Sequence, residues 1–285
     1  MRPEISVLTP SFNQKRYLRD AIASVRHQDF PSVEHIIADG GSTDGTAELL
    51  GRTAGVRWQS RPDSGQSQAL NRAASLAQGE IIGWLNSDDY YLPDCLRTAH
   101  DYFAGHPEVD VLYGDCLYVD ELGRLLRARA EHALSWPTLL YWGCYVQSTS
   151  SFFRRRLLDT GLLRWDESLR YVMDWELYLR MAAAGVRFSY LPVAFAARRW
   201  HGANASLDLA AMGPEVAALQ AMYSPTLARS ASARMAMHHV FRAWHGVQKA
   251  FAGGFAAERR WRTLRGQSTV WWMGAEAETA GAGRD

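Results

Sequence analysis

The chain has 285 residues, of which 47% are apolar and 21% charged, as in an ordinary globular protein. A formal net charge of +1 gives no support for a nucleic-acid partner. Three widely spaced cysteines, Cys95, Cys116 and Cys144, form no C-x-x-C pattern, which argues against a disulfide framework or a zinc site and predicts a reducing compartment.

No apolar run approaches the roughly 20 residues that a membrane-spanning helix needs. The first residues do not fit a signal peptide either. We therefore expect a cytoplasmic protein. A peripheral position on the inner face of the cell membrane stays open, because the last segment of the chain is basic and amphipathic.

Strands and helices alternate over about the first 90 residues. Short apolar runs predict strands at 5–8, 33–38, 56–59 and 81–85. Apolar residues at three- and four-residue spacing predict helices at 17–25, 46–50 and 66–76. This order predicts an α/β fold with a mostly parallel sheet and helices on both faces. After Tyr113 the alternation loosens into a predicted hairpin at 118–129 and a helix at 171–184.

Polar clusters follow three of the predicted strands, at 9–13, 39–44 and 86–89. Ligands bind beyond the carboxyl ends of the strands in parallel sheets. The three clusters therefore predict one crevice at that edge of the sheet.

Asp88 and Asp89 place two adjacent carboxylates at the end of a buried strand. A hard divalent cation, bound through oxygens and shared with a diphosphate, would neutralise them. The alternative is a solvated turn or a helix N-cap before Leu92. Asp39 opens a glycine-rich turn and could accept the imide N–H of uracil or thymine, while Asp44 in the same turn suits capping of the next helix.

Four segments carry a resemblance to a known family: ISVLTPSFN, VEHIIADGGSTDGT, DSGQSQALNRA and GEIIGWLNSDDYYLP. They resemble the nucleotide-binding half of inverting glycosyltransferases of family 2, which have the GT-A fold. The resemblance implies transfer of a sugar from a nucleoside diphosphate to an acceptor hydroxyl, with Mg or Mn as cofactor. It also implies a division into a nucleotide-sugar-binding half at 1–115, an acceptor-binding half at 116–210 and a helical C-terminal extension at 211–285.

The resemblance implies specific roles on the side that binds the nucleotide sugar. Residues implied to flank or bind the nucleotide sugar are Pro10, Ser11, Phe12, Asp39, Gln66 and Asp88. Those implied to hold the metal are Asp88, Asp89 and His201. The first position of the family's D-x-D motif is Asn86 here, which removes one negative charge and leaves Asp88 and Asp89 to coordinate the ion.

Asp174 lies where the family places its catalytic base, and Met173 replaces the usual acidic neighbour. A carboxylate near a helix N-terminus is favoured in its ionised form, with an ordinary pKa of about 3.9. The alternative is a capping acid that pairs with Arg170. Gln147, in a segment that also resembles the family, could lie near the transferred sugar.

The predicted reaction is a single in-line displacement that inverts the anomeric carbon, with a UDP- or dTDP-sugar favoured. The expected partners are a nucleotide-sugar donor and a glycan or lipid-linked acceptor, in bacterial surface glycan or glycoconjugate assembly. Nucleotidyl transfer is disfavoured because no glycine-rich loop follows the first strand. A binding module without catalysis stays open because of Asn86 and Met173. Processive synthesis is disfavoured because no Q-x-x-R-W motif is present.

The extension carries an apolar stripe at helical spacing among many arginines. The stripe consists of Met237, Val240, Trp244, Val247, Phe251 and Phe255. It predicts either weak attachment to an anionic membrane or packing on the catalytic domain or a second subunit in a homodimer.

Overall fold

The computed structural model describes residues 2–202, 204, 208–224 and 230–272. Within these ranges nine strands form one sheet. The strands are β1 (Ile5–Ser11), β2 (Val33–Asp39), β3 (Val56–Ser60), β4 (Ile81–Trp84), β5 (Tyr90–Tyr91), β6 (Val111–Val119), β7 (Leu125–Arg129), β8 (Ser151–Arg154) and β9 (Phe188–Arg199).

Helices cover both faces of this sheet and form the last part of the described chain. They are α1 (Lys15–Arg26), α2 (Thr46–Gly51), α3 (Gln66–Leu76), α4 (Cys95–Gly105), α5 (Trp136–Tyr141), α6 (Arg156–Asp159), α7 (Met173–Ala183), α8 (Leu209–Tyr223), α9 (Ala231–Phe251) and α10 (Gly254–Arg262). A short 3₁₀ turn, Ser148–Ser150, precedes β8.

The first four strands are parallel, as the alternation of strands and helices predicts. They lie in the order β3-β2-β1-β4. The β1–β2 register places Ser11 beside Asp39, and the β1–β4 register places Leu8 beside Trp84. The polar segments that follow these strands therefore leave the sheet at the same edge, so the predicted crevice has its physical basis.

The rest of the sheet is mixed. Strand β8 runs antiparallel to both β4 and β6, while β9 runs parallel to β6. Strand β6 runs through residues 115 and 116, where the predicted boundary between the two halves lies, and its register with β9 shifts on both sides of Asp115. One side of β6 pairs with β9 along its length, and its other side pairs first with β8 and then with β7. The three-part division of the chain stays a prediction.

Two apolar cores cover the two faces of the sheet. Along β1 the side chains alternate, so Leu8 enters one core while Ile5 and Val7 enter the other. Helix α1 buries the side predicted from its spacing, including Leu18 and Ile22. These cores hold the strand ends, and therefore the polar segments after them, in fixed positions.

The extension packs on the rest of the protein, but not through the predicted stripe. In α9, His245 is buried, and Thr138 donates a hydrogen bond to Gln248 at 2.7 Å. Val240 and Phe251 of the stripe stay exposed, by 59% and 89%. Residues 225–229 and 273–285 of the extension lie outside the described residues. Among the described helices, none is long and apolar enough to span a membrane.

Candidate active site

A cavity of about 700 Å³ opens at the carboxyl ends of the parallel strands and extends to the start of α7. Most of the site residues predicted from the sequence line it. These are Pro10, Ser11, Phe12, Gln66, Asp88, Asp89 and Asp174. Asp39 and His201 are not among the residues that line it. The structure thus brings the two predicted chemical centres, at the end of β4 and at α7, into one cavity.

Asn86 stands at the first position of the D-x-D motif, and its side chain connects Gln66, Trp84 and Asp89 by hydrogen bonds. Its Oδ1 accepts hydrogen bonds from Gln66 Nε2 at 2.8 Å and from Trp84 Nε1 at 2.9 Å. Its Nδ2 donates to Oδ2 of Asp89 at 3.1 Å. An aspartate could not make the last contact, because an ionised carboxylate only accepts. The amide therefore fixes Gln66 and avoids a like charge beside Asp89.

Asp89 is almost fully buried, and both of its oxygens have partners within the protein. Oδ1 accepts from the backbone N–H of Arg199 at 2.9 Å, and Oδ2 accepts from Asn86. Burial, followed by the charge of Asp88, raises the pKa of Asp89 to about 7. Through these two hydrogen bonds Asp89 links Arg199 of β9 to Asn86, which follows β4. Its predicted metal role stays a prediction.

Asp88 and His201 lie side by side. Oδ2 of Asp88 is 3.0 Å from Nε2 of His201, and the imidazole stacks on the ring of Tyr17 with 5.0 Å between centroids. Asn204 supports the pair, because its Oδ1 accepts from the backbone N–H of His201 at 2.6 Å. Two of the three predicted metal ligands are therefore adjacent, and Asp88 reaches the cavity.

A carboxylate and an imidazole suit a divalent ion such as Mn²⁺ or Mg²⁺ only in part, because such ions take about six ligands. In the described part of the chain no group of three His, Cys, Asp or Glu side chains forms a metal site. Asp88 and His201 therefore fit a cation that draws its other ligands from a bound diphosphate and from water. They do not form a complete site by themselves.

Asp39 has no exposed surface, and its carboxylate is fully engaged. It accepts from the hydroxyls of Ser42 and Ser60 and from the backbone N–H groups of Gly41 and Ser42, at distances of 2.5 to 3.1 Å. A nucleobase could use this carboxylate only by replacing one of these partners. Its predicted role in reading the base stays a prediction. Asp44 caps α2 by accepting from Thr46, as its position in the turn suggests.

Asp174 lies in the first turn of α7 and lines the cavity. Its Oδ1 accepts from the backbone N–H of Trp175 at 2.7 Å. Burial raises the pKa of Asp174 above its ordinary value, against the opposing effects of that hydrogen bond and the charge of Arg198. The expectation of an ordinary pKa is wrong for this reason. No ion pair joins Asp174 to Arg170, although both are among the described residues.

The segment before α7 is held by Glu215 of α8, which no motif in the sequence indicates. The Glu215 carboxylate accepts from three consecutive backbone N–H groups, those of Arg170, Tyr171 and Val172, at 3.0, 2.8 and 3.1 Å. Charge-assisted bonds of this kind are the stronger class of hydrogen bond. Helix α8 thereby fixes the start of the helix that carries Asp174.

Three further side chains line the cavity, those of Arg129, Gln147 and Arg198, and Tyr118 connects them. The hydroxyl of Tyr118 donates to Oε1 of Gln147 at 3.2 Å, and Arg198 Nη1 donates to the same oxygen at 3.4 Å. Arg129 Nη1 donates to the Tyr118 hydroxyl at 3.2 Å. Burial disfavours the charge of Arg198, but Tyr118, Asp89, Cys116 and Asp174 together raise its pKa above the ordinary value. Gln147 was predicted here, whereas the two arginines were not.

Behind Arg129 runs a buried chain of polar groups that reaches α9. The guanidinium of Arg129 donates to Glu131, and Oε2 of Glu131 faces Nε2 of His245 at 3.6 Å. Nδ1 of His245 is 2.8 Å from Nε2 of His132, whose Nδ1 contacts the carbonyl oxygen of Ala133 at 2.7 Å.

The order of donors in this chain follows from the carbonyl of Ala133, which can only accept. A neutral His132 then donates from Nδ1 and accepts at Nε2, so Nδ1 of His245 carries a proton. Nε2 of His245 and Oε2 of Glu131 then face each other at 3.6 Å, too far apart for a hydrogen bond, and among the described residues this Oε2 has no hydrogen-bonding partner. Burial raises the pKa of Glu131 to about 7, while burial and then His132 lower the pKa of His245 to about 3. Burial thus favours the protonated, neutral form of Glu131 and the neutral form of His245.

The family model described as Glycosyl transferase family 2 matches residues 6–162, more than half of the chain. The chain belongs to glycosyl transferase family 2. This confirms the resemblance seen in the sequence motifs. The matched region contains the end of β4 with Asp88 and Asp89, and it ends before Asp174 and His201.

Several curated proteins are similar to this member of the family. Chondroitin synthase of Pasteurella multocida is 27% identical over 211 residues, which cover 72% of this chain and 21% of that protein. An uncharacterized glycosyltransferase of Mycobacterium tuberculosis is 34% identical over 184 residues, covering 63% and 69%. A putative teichuronic acid biosynthesis glycosyltransferase of Bacillus subtilis, TuaG, is 37% identical over 106 residues, covering 35% and 42%. The chain thus spans about a fifth of the chondroitin synthase.

Solved structures show that the family 2 chain has the GT-A fold, as predicted. The structure of S. aureus TarS 1–349 in complex with UDP-GlcNAc matches with a TM-score of 0.65 at 19% identity, covering 91% of this chain and 77% of that chain. The mannosyltransferase PcManGT from Pyrobaculum calidifontis, in complex with GDP-Man and Mn²⁺, matches with a TM-score of 0.55 at 18% identity, covering 93% and 84%.

Proposed function

We propose that this chain is a metal-dependent, inverting glycosyltransferase that moves a single sugar from a nucleoside diphosphate sugar to an acceptor hydroxyl. One observation carries the proposal: Asp88 at the end of β4 and Asp174 at the start of α7 line the same cavity. An in-line displacement needs the leaving diphosphate and the proton acceptor on opposite sides of one sugar. The two carboxylates come from two different parts of the cavity wall, and this supports the proposal.

In the proposed reaction Asp174 accepts the proton of the acceptor hydroxyl, whose oxygen then attacks the anomeric carbon. The hydrogen bond from Trp175 orients the carboxylate, and the charge of Arg198 helps to keep it ionised. Gln147, held by Tyr118 and Arg198, offers a fixed polar group to the sugar between the two centres.

Asp88 and His201 would hold the divalent cation together with the diphosphate oxygens. Once bound, the ion supplies charge stabilisation to the leaving diphosphate. Asn86 positions Gln66 at the same edge of the cavity, where Gln66 would contact ribose or phosphate. Phe12, which is 60% exposed at the cavity rim, would lie against the base together with Pro10 and Ser11.

A UDP- or dTDP-sugar is the proposed donor, because a carboxylate such as Asp39 can accept the imide N–H of uracil or thymine. Among proteins of the same fold, the TarS structure contains UDP-GlcNAc and the PcManGT structure contains GDP-Man with Mn²⁺. The acceptor is proposed to be a glycan or a lipid-linked glycan in polysaccharide assembly. Relatives named for chondroitin and teichuronic acid synthesis support that class of product.

The test is release of nucleotide from a panel of nucleotide sugars, with and without EDTA. We expect release from a UDP- or dTDP-sugar, loss of activity in EDTA and recovery with Mn²⁺ or Mg²⁺. Asp88→Asn should lose turnover and donor binding together, while Asp101→Asn, which changes an exposed acid of α4, should behave as the native chain. Full turnover in EDTA contradicts the metal part. Absence of release from every donor favours a binding module without catalysis.

A further inference from the structure

Within the described part of the chain, helix α9 packs on the protein along one side. The residues of this side recur at three- and four-residue steps, and among them are Phe241, His245 and Gln248. Phe241 lies 5.0 Å from the ring of Tyr141, His245 stacks on Trp142 at 3.7 Å, and Gln248 accepts from Thr138. These contacts fix the rotation of the helix about its own axis. They therefore also determine which side chains point away from the protein.

The outward side of α9 and the start of α10 are apolar. Large side chains that are at least 40% exposed there are Met235, Val240, Trp244, Val247, Phe251 and Phe255. Val240, Trp244, Val247 and Phe251 follow one another at steps of four, three and four residues, so they form a single row along α9. We call this row the outer stripe. An exposed apolar row of this length marks an interaction surface rather than ordinary surface composition.

The segment next to the outer stripe is strongly basic. Four exposed arginines follow Phe255 on and after α10, namely Arg259, Arg260, Arg262 and Arg265. None of the four forms an ion pair with another described residue. Glu258 is the only acid between residues 231 and 272, and it is already bound by Lys249 Nζ and by the backbone N–H of Ala130. The positive charge beside the stripe is therefore not neutralised within the described part of the protein.

A second copy of the chain is a poor fit to this surface. A two-fold symmetric interface places a surface patch against the same patch of its partner. The same patch of the partner would offer the four arginines no free acid, because Glu258, the only acid between residues 231 and 272, is already bound by Lys249. An anionic bilayer fits both the outer stripe and the arginines. Its membrane–water interface takes up apolar side chains, and its anionic headgroups attract arginines.

We propose that α9 and α10 form a peripheral membrane-binding surface, in which the outer stripe enters the interface of an anionic phospholipid bilayer and the arginines of α10 contact the headgroups. This inference does not depend on the proposed glycosyl transfer. It concerns a surface that is separate from the cavity, and it would hold for a chain that only binds nucleotide sugars.

The test is co-sedimentation of the full chain with phosphatidylcholine vesicles that do or do not contain phosphatidylglycerol. We expect binding to the anionic vesicles at low salt, weak binding to neutral vesicles, and loss of binding at high salt. Replacing Arg259→Gln and Arg260→Gln together should weaken the anionic binding roughly thirtyfold, at about 1 kcal/mol for each charge. Phe251→Ser should also weaken it, because Phe251 is 89% exposed in the stripe.

Matched variants separate this surface from general effects of charge and apolarity. Arg52→Gln with Arg187→Gln removes two exposed arginines elsewhere, and Leu122→Ser removes an apolar side chain that is 62% exposed in a turn. Both should bind like the native chain. Equal loss in these controls, or no anionic binding of the native chain at low salt, overturns the proposal. So does a concentration-dependent dimer that Phe251→Ser dissociates, since a second copy would then occupy the stripe.

Discussion

Nε1 of Trp271 donates a hydrogen bond at 2.9 Å to the backbone carbonyl of Tyr91, which lies two residues after Asp89. Trp272 packs edge-on against Tyr90 with 5.1 Å between the rings, and Thr269 bonds the Tyr90 hydroxyl at 2.6 Å. The end of the described chain thus supports the short strand that follows the predicted metal-binding residues. The C-terminal segment therefore helps to hold the site in place, although none of its residues named here lines the cavity.

Asp174→Asn tests the predicted base. Asparagine keeps the shape of the side chain but cannot accept the proton, so we expect kcat to fall by orders of magnitude while the affinity for the nucleotide stays nearly unchanged. Steady-state rates and calorimetry with the nucleotide measure the two effects. A variant that keeps its turnover and loses only about 1 kcal/mol of stability would show that Asp174 is a helix cap instead.

Glu215→Ala tests whether α8 positions the start of α7. The change leaves three backbone N–H groups without their carboxylate, and we expect turnover to fall by about tenfold or more with little change in donor affinity. Asp208→Ala is the matched control, because Asp208 caps the same helix through Ala211 and does not contact that segment. If both variants lose turnover equally, the effect comes from the stability of α8 and not from positioning.

Asn86→Asp restores the first aspartate of the family's D-x-D motif. It tests whether the amide of Asn86 is needed beside Asp89. We expect it to unfold at a lower temperature than Asn86→Ala without divalent ions, because it adds a negative charge beside the buried Asp89, whereas the alanine only removes the hydrogen bonds. Mn²⁺ should narrow the difference by neutralising the added charge. Thermal unfolding of both variants with and without Mn²⁺ is the measurement, and an Asp variant as stable as the Ala variant in EDTA speaks against this account.

Glu131→Gln tests the raised pKa of Glu131. The pKa of Glu131 is raised to about 7, so the folded state binds more protons than the unfolded state between about pH 4.5 and 7. Stability from this group is complete below that window and is lost as the pH rises through 7. Glutamine stays neutral throughout, so the variant should gain on the order of 5 °C in Tm relative to the native chain between pH 5.5 and 8.

The exposed Glu80→Gln supplies the reference for that comparison, because Glu80 forms only a surface ion pair with Arg2. Its Tm difference from the native chain should not change with pH over the same range. A Glu131→Gln difference that is equally flat would show that folding does not raise the pKa of Glu131.

The sequence predicted the parallel strands and the meeting of their polar ends well, because both depend on local patterns. The hydrophobic runs of β1, β2 and β4 are short and are followed directly by Thr9-Pro10, Asp39-Gly40 and Asn86. The position of Asp174 in the cavity could be expected only from the family resemblance. Nothing in the local sequence around Tyr171 and Asp174 distinguishes a base from a cap.

The features that were missed depend on contacts between residues far apart in the chain. Glu215 contacts Tyr171 across 44 positions, and His245 contacts His132 across 113. The apolar periodicity predicted that α9 is helical. One of its two alternatives was that the apolar stripe packs on the protein. The helix instead buries the polar His245, because this side chain hydrogen-bonds His132 and stacks on Trp142. A pattern of apolar spacing contains no information on such contacts.

The continuity of β6 limits how the molecule can move. This strand pairs with β8, which joins the parallel strands, and a few residues later with β7, whose last residue, Arg129, lines the cavity. Two parts of the molecule that share a hydrogen-bonded strand cannot separate as rigid bodies without breaking the sheet. Entry and release of substrates must therefore rely on movement of the segments around the cavity, and hydrogen exchange should find β6 protected in both its halves whether or not a nucleotide is bound.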